Sequence, residues 1–144
     1  MPTRKEIGYA GEAEVCRYLE ERGFSVALQN YTTAHGEIDI IAKDEKYIVF
    51  CEVKTRKDLS YAKRYGRPAK AVNEEKREHL LYAAKQYLRE HAASDISLLQ
   101  PRMDVAEVWY TEGKDGLRFR LRYIERAFGA SGGRSSRRIG GEDE

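Results

Sequence analysis

Three charged residues, Asp39, Glu52 and Lys54, lie among Ile, Val and Phe in two largely apolar stretches of this sequence. Asp39 lies within residues 36–42, and Glu52 and Lys54 lie within residues 47–54. Both stretches are rich in Ile, Val and Phe and predict buried β-strands. Charged side chains are costly there unless they are paired or bind a metal ion. Two carboxylates and a lysine that meet on a sheet would suit a divalent-metal site for phosphodiester chemistry.

The turn between the two predicted strands decides whether these side chains meet. Residues 43–46 read Lys-Asp-Glu-Lys, a composition typical of a hairpin turn. A four-residue loop would place Asp39 opposite Phe50. Alternation along the strands would then put Asp39, Glu52 and Lys54 on one face, with the carboxylates about 7–8 Å apart at the backbone. A loop longer or shorter by one residue would place Asp39 on the opposite face.

The amino-terminal segment predicts a helix from about residue 4. Thr3 and Glu6 have the spacing of a capping box, and Gly23 is a natural carboxyl-terminal stop. The residues expected on the inner face are Ile7, Gly11, Val15, Tyr18 and Leu19.

Glu12 does not fit an ordinary amphipathic helix. It aligns with Gly8, Cys16 and Leu19 and would therefore face the core side. A solvated carboxylate at the border of that face is the alternative. Gly8 and Gly11 each cost about 1 kcal/mol relative to Ala in a helix interior, and they would let the helix approach a sheet or a phosphate closely.

The remaining elements predict the fold class. A first strand spans about residues 24–28, and a polar connection over residues 30–35 leads into the two strands described above. Asn73 would cap a second helix that runs to about His91. Two further strands, over residues 102–110 and 117–123, follow it. The order helix, three strands, helix, two strands predicts an α/β fold, with a mixed sheet flanked by helices and a parallel pair where the second helix crosses over.

Basic residues are concentrated after Lys54. Residues 56–70 carry a local charge of +5 and include Tyr61 and Tyr65, which suits binding to a nucleic acid; a merely solvated charged loop is the alternative. Its six cations are Arg56, Lys57, Lys63, Arg64, Arg67 and Lys70. Lys76 borders the buried face of the second helix, where it could reach a phosphate or a carboxylate, or extend to solvent.

The fifth predicted strand has one apolar and one basic face. Arg118, Arg120 and Arg122 alternate with apolar residues there, a pattern that favours an outer strand facing solvent.

Length and composition limit the class of protein. The chain has 144 residues, of which 35% are charged, and a formal net charge of only +2. We expect one domain over residues 1–128 and a disordered tail over residues 129–144. No apolar run suggests a signal peptide or a membrane span, so a cytoplasmic protein is expected. Cys16 and Cys51 predict buried, reduced thiols rather than a disulfide.

A larger set of residues resembles a known family. Asp39 followed, after twelve residues, by Glu52-Val53-Lys54 resembles the PD-(D/E)xK nuclease signature, with Ile38 in place of its proline. The wider pattern resembles the small bacterial YraN-like uncharacterised protein family, similar to archaeal Holliday-junction resolvases, over about residues 4–128. It comprises Gly8-Tyr9-Ala10-Gly11-Glu12, Gly23, Asn30, residues 36–42, Glu52-Val53-Lys54-Thr55-Arg56, Arg102 and Asp104.

The resemblance implies a restriction-endonuclease-like fold and a metal-dependent nuclease that acts on DNA. Asp39 and Glu52, with Val53, would bind Mg²⁺ or Mn²⁺, and Lys54 would orient or activate the attacking water. Glu12 matches an additional catalytic acid on the first helix of the resolvase-like branch. A resolvase-like role would also favour a two-fold dimer.

Two other classes of function fit the same residues. A nucleic-acid-binding module could retain the nuclease fold without cutting, although a site that no longer cuts has no reason to keep buried charges. A protein–protein scaffold could use the carboxylates only to pair with lysines, and it would not bind DNA at low salt.

Overall fold

The computed structural model describes residues 1–59 and 74–129. Their order of elements is the predicted one, with an additional short 3-10 helix, Asp95–Leu98, before the fourth strand. The elements are α1 (Arg4–Glu21), β1 (Ser25–Thr33), β2 (Gly36–Lys43), β3 (Tyr47–Lys57), α2 (Glu74–Glu90), β4 (Gln100–Gly113) and β5 (Gly116–Phe128).

The five strands form one sheet in the order β1-β2-β3-β4-β5. Three neighbouring pairs are antiparallel and are joined by turns. The β3–β4 pair is parallel, because α2 lies between these strands in sequence and returns the chain to the starting end of the sheet. The predicted mixed α/β sheet is therefore confirmed, with β5 as an outer strand.

The two helices cover opposite faces of the sheet. On α1, the predicted capping box between Thr3 and Glu6 is formed, and Val15 and Leu19 pack on one face of the sheet with Ile40 and Cys51. The residues that pack on the other face, beneath α2, include Ile41, Phe50, Leu80 and Tyr87. The central strands β2, β3 and β4 therefore contribute buried side chains to two separate cores, one on each face of the sheet.

The β2–β3 register differs from the prediction by two residues. Ile41, not Asp39, is the partner of Phe50. The reason is a tighter turn than the four-residue loop expected: the Asp44 N–H donates to the Tyr47 carbonyl at 3.0 Å. A shift of two residues preserves the face on which a side chain lies, so Asp39 remains on the predicted side of the sheet.

Two other boundaries were predicted wrongly. The expected polar connection over residues 30–35 is mostly strand, because β1 continues to Thr33 and only a short turn precedes β2. A strand at the edge of a sheet can be this polar because one side remains in solvent. The loop over residues 56–70 was predicted to begin too early in the sequence, since Arg56 and Lys57 are the last two residues of β3.

Some predictions lie outside the described residues. They are the Asn73 cap, the tail beyond residue 129 and the greater part of the basic loop. Among the described residues, no helix is long and apolar enough to cross a membrane. Cys16 and Cys51 are free thiols, the first half-buried and the second buried.

Candidate active site

Asp39 lies where β2 and β3 separate. Their ladder ends at the pair Ile40–Cys51. Just beyond it, the Asp39 carboxylate oxygen Oδ2 accepts a hydrogen bond from the backbone N–H of Val53 at 2.8 Å. The Asp39 side chain, rather than its main chain, therefore bridges the two strands and is held close to Glu52.

Asp39, which is half-buried, and Glu52, which is buried, form a pair of carboxyl groups. Glu52 is 4% exposed, and burial together with the charge of Asp39 raises its pKa to about 7. Burial also raises the pKa of Asp39, although hydrogen bonds from Val53 and from the Glu52 carboxyl group oppose that shift. Like charges in a poorly solvated site favour one shared proton or a bound cation.

Lys76 approaches this pair from α2. Its Nζ lies 3.3 Å from Glu52 Oε2, and its charge lowers the pKa of both carboxyl groups against the larger effect of burial. The prediction that Lys76 could reach a carboxylate is confirmed. One ammonium group is thus part of the site without fully compensating two negative charges.

Lys54 follows Glu52 on the same face of β3, two residues along the strand. It is half-buried, and its Cα partner on the parallel strand β4 is Glu107. No ion pair joins it to a carboxylate in the part of the chain that the structure describes. Its ammonium group is therefore available to a ligand beside the carboxyl pair.

Glu12 reaches the site from α1, on the other side of the sheet. It is half-buried, and burial together with the charge of Asp39 raises its pKa. Asn30 Nδ2 donates to Glu12 Oε1 at 3.4 Å. The core-side interpretation of Glu12 is therefore favoured over that of a fully solvated border residue.

Asn30 has a role in this arrangement that the sequence pattern did not assign. Its neighbours in β1, Gln29 and Tyr31, pair with Ile40 and Ile38, which places Asn30 across from Asp39. Its φ of 55° is left-handed, a conformation that Asn adopts more readily than most residues. That pairing position and the positive φ could have been inferred only after β1 was known to extend so far.

Two glycines allow the helices to approach the site closely. A Cβ on Gly36 would lie 2.3 Å from the backbone oxygen of His79 in α2, and one on Gly11 would lie 2.5 Å from Thr55 Oγ1 in β3. The close approach expected of Gly11 is confirmed. Among the described residues, nothing lies within 4 Å of a Cβ placed on Gly8, so Gly8 is not needed for contact between α1 and the sheet.

The oxygen donors fit a hard divalent cation. Asp39 and Glu52 supply carboxylate oxygens, and one or two such ligands with water and phosphate are usual for Mg²⁺. Val53 has no side-chain donor, so it could contribute only its main-chain carbonyl. Across residues 1–59 and 74–129, no group of three or more His, Cys, Asp or Glu side chains is arranged to hold a metal ion.

The predicted nucleic-acid-binding residues are only partly described. Arg56 and Lys57 are consecutive in β3 and therefore point to opposite faces of the sheet, so they cannot act on one ligand as a local cluster. Arg56 shares the face of Glu52 and Lys54. The other members of the predicted loop lie outside the described residues: Lys63, Arg64, Arg67 and Lys70.

Glu107 is a buried acid that sequence reasoning missed. It is 1% exposed in β4, and its Oε1 lies 3.2 Å from Arg122 Nη1 in β5. Burial raises its pKa, against the opposing charges of Arg122 and Arg56. Its position between apolar residues of a predicted strand could have identified it from the sequence, as the same pattern identified Asp39.

Comparison with known proteins places the chain in a family. Residues 11–108 match the uncharacterised protein family UPF0102. The chain is 38% identical to a UPF0102 protein of Carboxydothermus hydrogenoformans, over 71% of this chain and 80% of the relative. It is 36% identical to one from Caldicellulosiruptor bescii and 38% identical to one from Alkaliphilus metalliredigens, in each case over 86% of this chain and 98% of the relative. The expected family is thus confirmed: the chain belongs to the uncharacterised protein family UPF0102.

Proposed function

We propose that this chain is a divalent-metal-dependent nuclease that hydrolyses phosphodiester bonds in DNA. The observation that carries the proposal is the contact between the half-buried Asp39 and the buried Glu52, where two strands separate. A pair of like charges in that position is unfavourable for folding alone. Unfavourable placement of ionisable groups is characteristic of functional sites.

Asp39 and Glu52 would hold the ion, which we take to be Mg²⁺ or Mn²⁺. When bound, such an ion polarises a phosphate and lowers the pKa of a water molecule. The Val53 N–H and the strand framework hold Asp39 in place, so the ligands would need little reorganisation.

Lys54 would act on the substrate directly. Its side chain lies on the face of Glu52 and is available within the described residues. A positive charge beside the scissile phosphate stabilises the negative charge that develops in the transition state. Glu12 would support the site from the opposite side, through its charge and its contact with Asn30.

The direct experiment measures nicking of DNA by the purified protein. A four-way junction, a linear duplex and an RNA of matched sequence would each be incubated with Mg²⁺ or Mn²⁺. We expect cleavage of DNA by the wild type and at least a 100-fold lower rate for Asp39→Asn and for Lys54→Ala, in line with the loss of one electrostatic contributor. Asp115→Asn and Lys85→Ala, at exposed positions distant in sequence from the site, are matched controls. Activity that survives both site substitutions would refute the proposal.

A nucleic-acid-binding domain that does not cut is the second candidate. It is favoured by Lys76, because its contact with Glu52 and a shared proton can stabilise the carboxyl pair without a metal ion. Calorimetric titration with Mn²⁺, with and without DNA, separates the two candidates. Absence of metal binding together with retained DNA binding would select the second.

A further inference from the structure

Three arginines lie in a row along β5, on the face of the sheet that carries Glu52. Arg118, Arg120 and Arg122 alternate along β5 and are exposed; we refer to these three residues as the arginine row. In the antiparallel ladder their partners on β4 are Thr111, Trp109 and Glu107, in the same order. Cross-strand partners lie on one face, so the arginine row and these three residues share a surface.

Groups beneath the row hold two of its guanidinium groups in place. Arg122 contacts the buried Glu107 carboxylate at 3.2 Å. Arg120 lies 4.6 Å from the centre of the Trp109 ring and contacts Asp58 Oδ2 at 3.3 Å. Both side chains remain more than half exposed, at 58% for Arg120 and 55% for Arg122. These contacts hold both side chains in place while their N–H donors face solvent. Binding a ligand would therefore cost less side-chain entropy.

The row is continuous with the candidate active site. Glu52, Lys54 and Arg56 occupy alternate positions of β3, and the partners of Lys54 and Arg56 on the parallel strand β4 are Glu107 and Trp109. The charge of Arg56 acts on Glu107, which confirms that Arg56 lies beside it. The sheet therefore carries the carboxyl pair of β2 and β3, with Lys54 and Arg56 next to it on β3 and the arginine row two strands away from β3.

Protection of an outer strand does not account for this pattern. Charged residues do prevent edge-to-edge association of sheets, but mixed signs serve that purpose equally well. Three like charges at alternate positions of one strand repel one another, so the arrangement suits an anionic ligand. Arg118 and Arg122 are four residues apart, or about 13 Å, which is about four base-pair steps of DNA measured along the helix axis at about 3.4 Å each.

We propose that the arginine row and Arg56 bind the phosphate backbone of DNA that extends from the carboxyl pair across β4 and β5. The proposal rests on the nuclease function for the identity of its ligand. It assigns the DNA path to the surface of the sheet. Glu107 is a positioning residue in this arrangement, because it orients Arg122 without reaching the DNA.

The test is equilibrium binding of fluorescently labelled duplex DNA in EDTA, where no metal-dependent cleavage occurs. The variant is Arg118→Ala with Arg120→Ala, which leaves the buried Glu107 paired. The control is Lys85→Ala with Arg89→Ala on the exposed side of α2, which removes the same charge elsewhere. Thermal melting establishes that both are folded.

We expect the row variant to weaken DNA binding at least tenfold at moderate salt, and the control to change it less than twofold. The slope of log Kd against log salt should fall by about 2, since each lost phosphate contact contributes about 0.9. Equal effects of the two double variants, no effect of the row variant, or preference for RNA over DNA would overturn the inference.

Cleavage assays on the same proteins keep the two proposals separate. If the wild type does not cut but the row variant loses binding, the nuclease function fails and the binding surface stands. If the wild type cuts and the row variant binds and cuts normally, the nuclease function stands and the binding surface fails.

Discussion

The backbone N–H of Val53 donates a hydrogen bond to Asp39 at 2.8 Å, across the point where β2 and β3 part. This contact fixes the position of the half-buried Asp39 carboxylate at the end of the β2–β3 ladder. It also brings Asp39 against Glu52, so the electrostatics of the site should be measurable as stability, without any assay of activity.

The first prediction concerns stability against pH in the absence of metal. The pKa of Glu52 in the folded state, about 7, is above its ordinary value of 4.5. The folded protein therefore binds the proton more tightly than the unfolded chain does, and stability should fall as pH rises from about 4.5 through 7. Glu52→Gln should remove most of this dependence and raise the free energy of unfolding at pH 8 by about 2–3 kcal/mol. Urea denaturation between pH 4.5 and 8 in EDTA measures this free energy of unfolding, with the exposed Glu112→Gln as control. Parallel profiles for wild type and Glu52→Gln would contradict the pKa assignment.

The second prediction concerns metal ions. A ligand that binds only the folded state stabilises it, by about 2.7 kcal/mol at 100 times its Kd. Mn²⁺ or Mg²⁺ should therefore raise the melting temperature of the wild type but not that of Asp39→Asn. The rise should be smaller at pH 6 than at pH 8, because protons compete for Glu52. An equal rise in Asp39→Asn would place the metal elsewhere.

The third prediction compares two glycines. Gly36→Ala would force a Cβ against the backbone oxygen of His79, which cannot move without displacing α2. We expect a loss of about 1–3 kcal/mol in unfolding free energy. Gly8→Ala adds its Cβ to open space within α1 and should stabilise the protein by about 1 kcal/mol. Chemical denaturation of the two variants checks both signs, and similar values for both would disprove the packing described for Gly36.

The fourth prediction concerns the buried ion pair between Arg102 and Asp104. Asp104 also accepts hydrogen bonds from the Tyr123 hydroxyl at 2.7 Å and from the Arg126 backbone N–H at 3.0 Å. Asp104→Asn would remove the nearer carboxylate from the 6% exposed Arg102 and leave Glu125, at 3.9 Å, at a cost of about 3–5 kcal/mol.

Glu14→Gln, which breaks the surface pair with Arg17, should cost less than about 1 kcal/mol. Thermal and urea denaturation of the two variants give the comparison. A small cost for Asp104→Asn would show that the buried pair is not needed to hold β4 against β5.

The fifth prediction separates the backbone and side-chain roles of Asn30. Asn30→Gly keeps the left-handed conformation but removes the donor to Glu12, so stability should change by less than about 1 kcal/mol. DNA cleavage by this variant should fall about tenfold if Glu12 supports the site. Cleavage at the wild-type rate would show that the contact is not functional.

Several local features were predictable because their causes lie within a few residues. The capping box of Thr3 and Glu6 defined the start of α1, and Gly23, with its φ of 93°, follows its end. The alternation of arginines in β5 was equally apparent from the sequence. The parallel β3–β4 pair followed from a helix lying between two strands.

The candidate site was only partly predictable, because it depends on pairing between distant segments. Asp39, Glu52 and Lys54 were found because charge within an apolar strand is costly wherever the strand lies. The partner of Asp39 was misplaced by two residues because the closure of the turn at Asp44 was not apparent from composition. Asn30 was assigned to a connection, since an edge strand need not be apolar.

The order of elements, the identity of the carboxylates and the presence of a basic strand could therefore be predicted from the sequence. The register that brings Asp39 to Val53 and the approach of Lys76 to Glu52 depend on tertiary packing and are seen only in the structure. It also placed Glu107 beneath Arg122, which links the arginine row to the face of the site. Local propensity acts over one turn or one strand, whereas the charge environment of a buried group is set by every element packed around it.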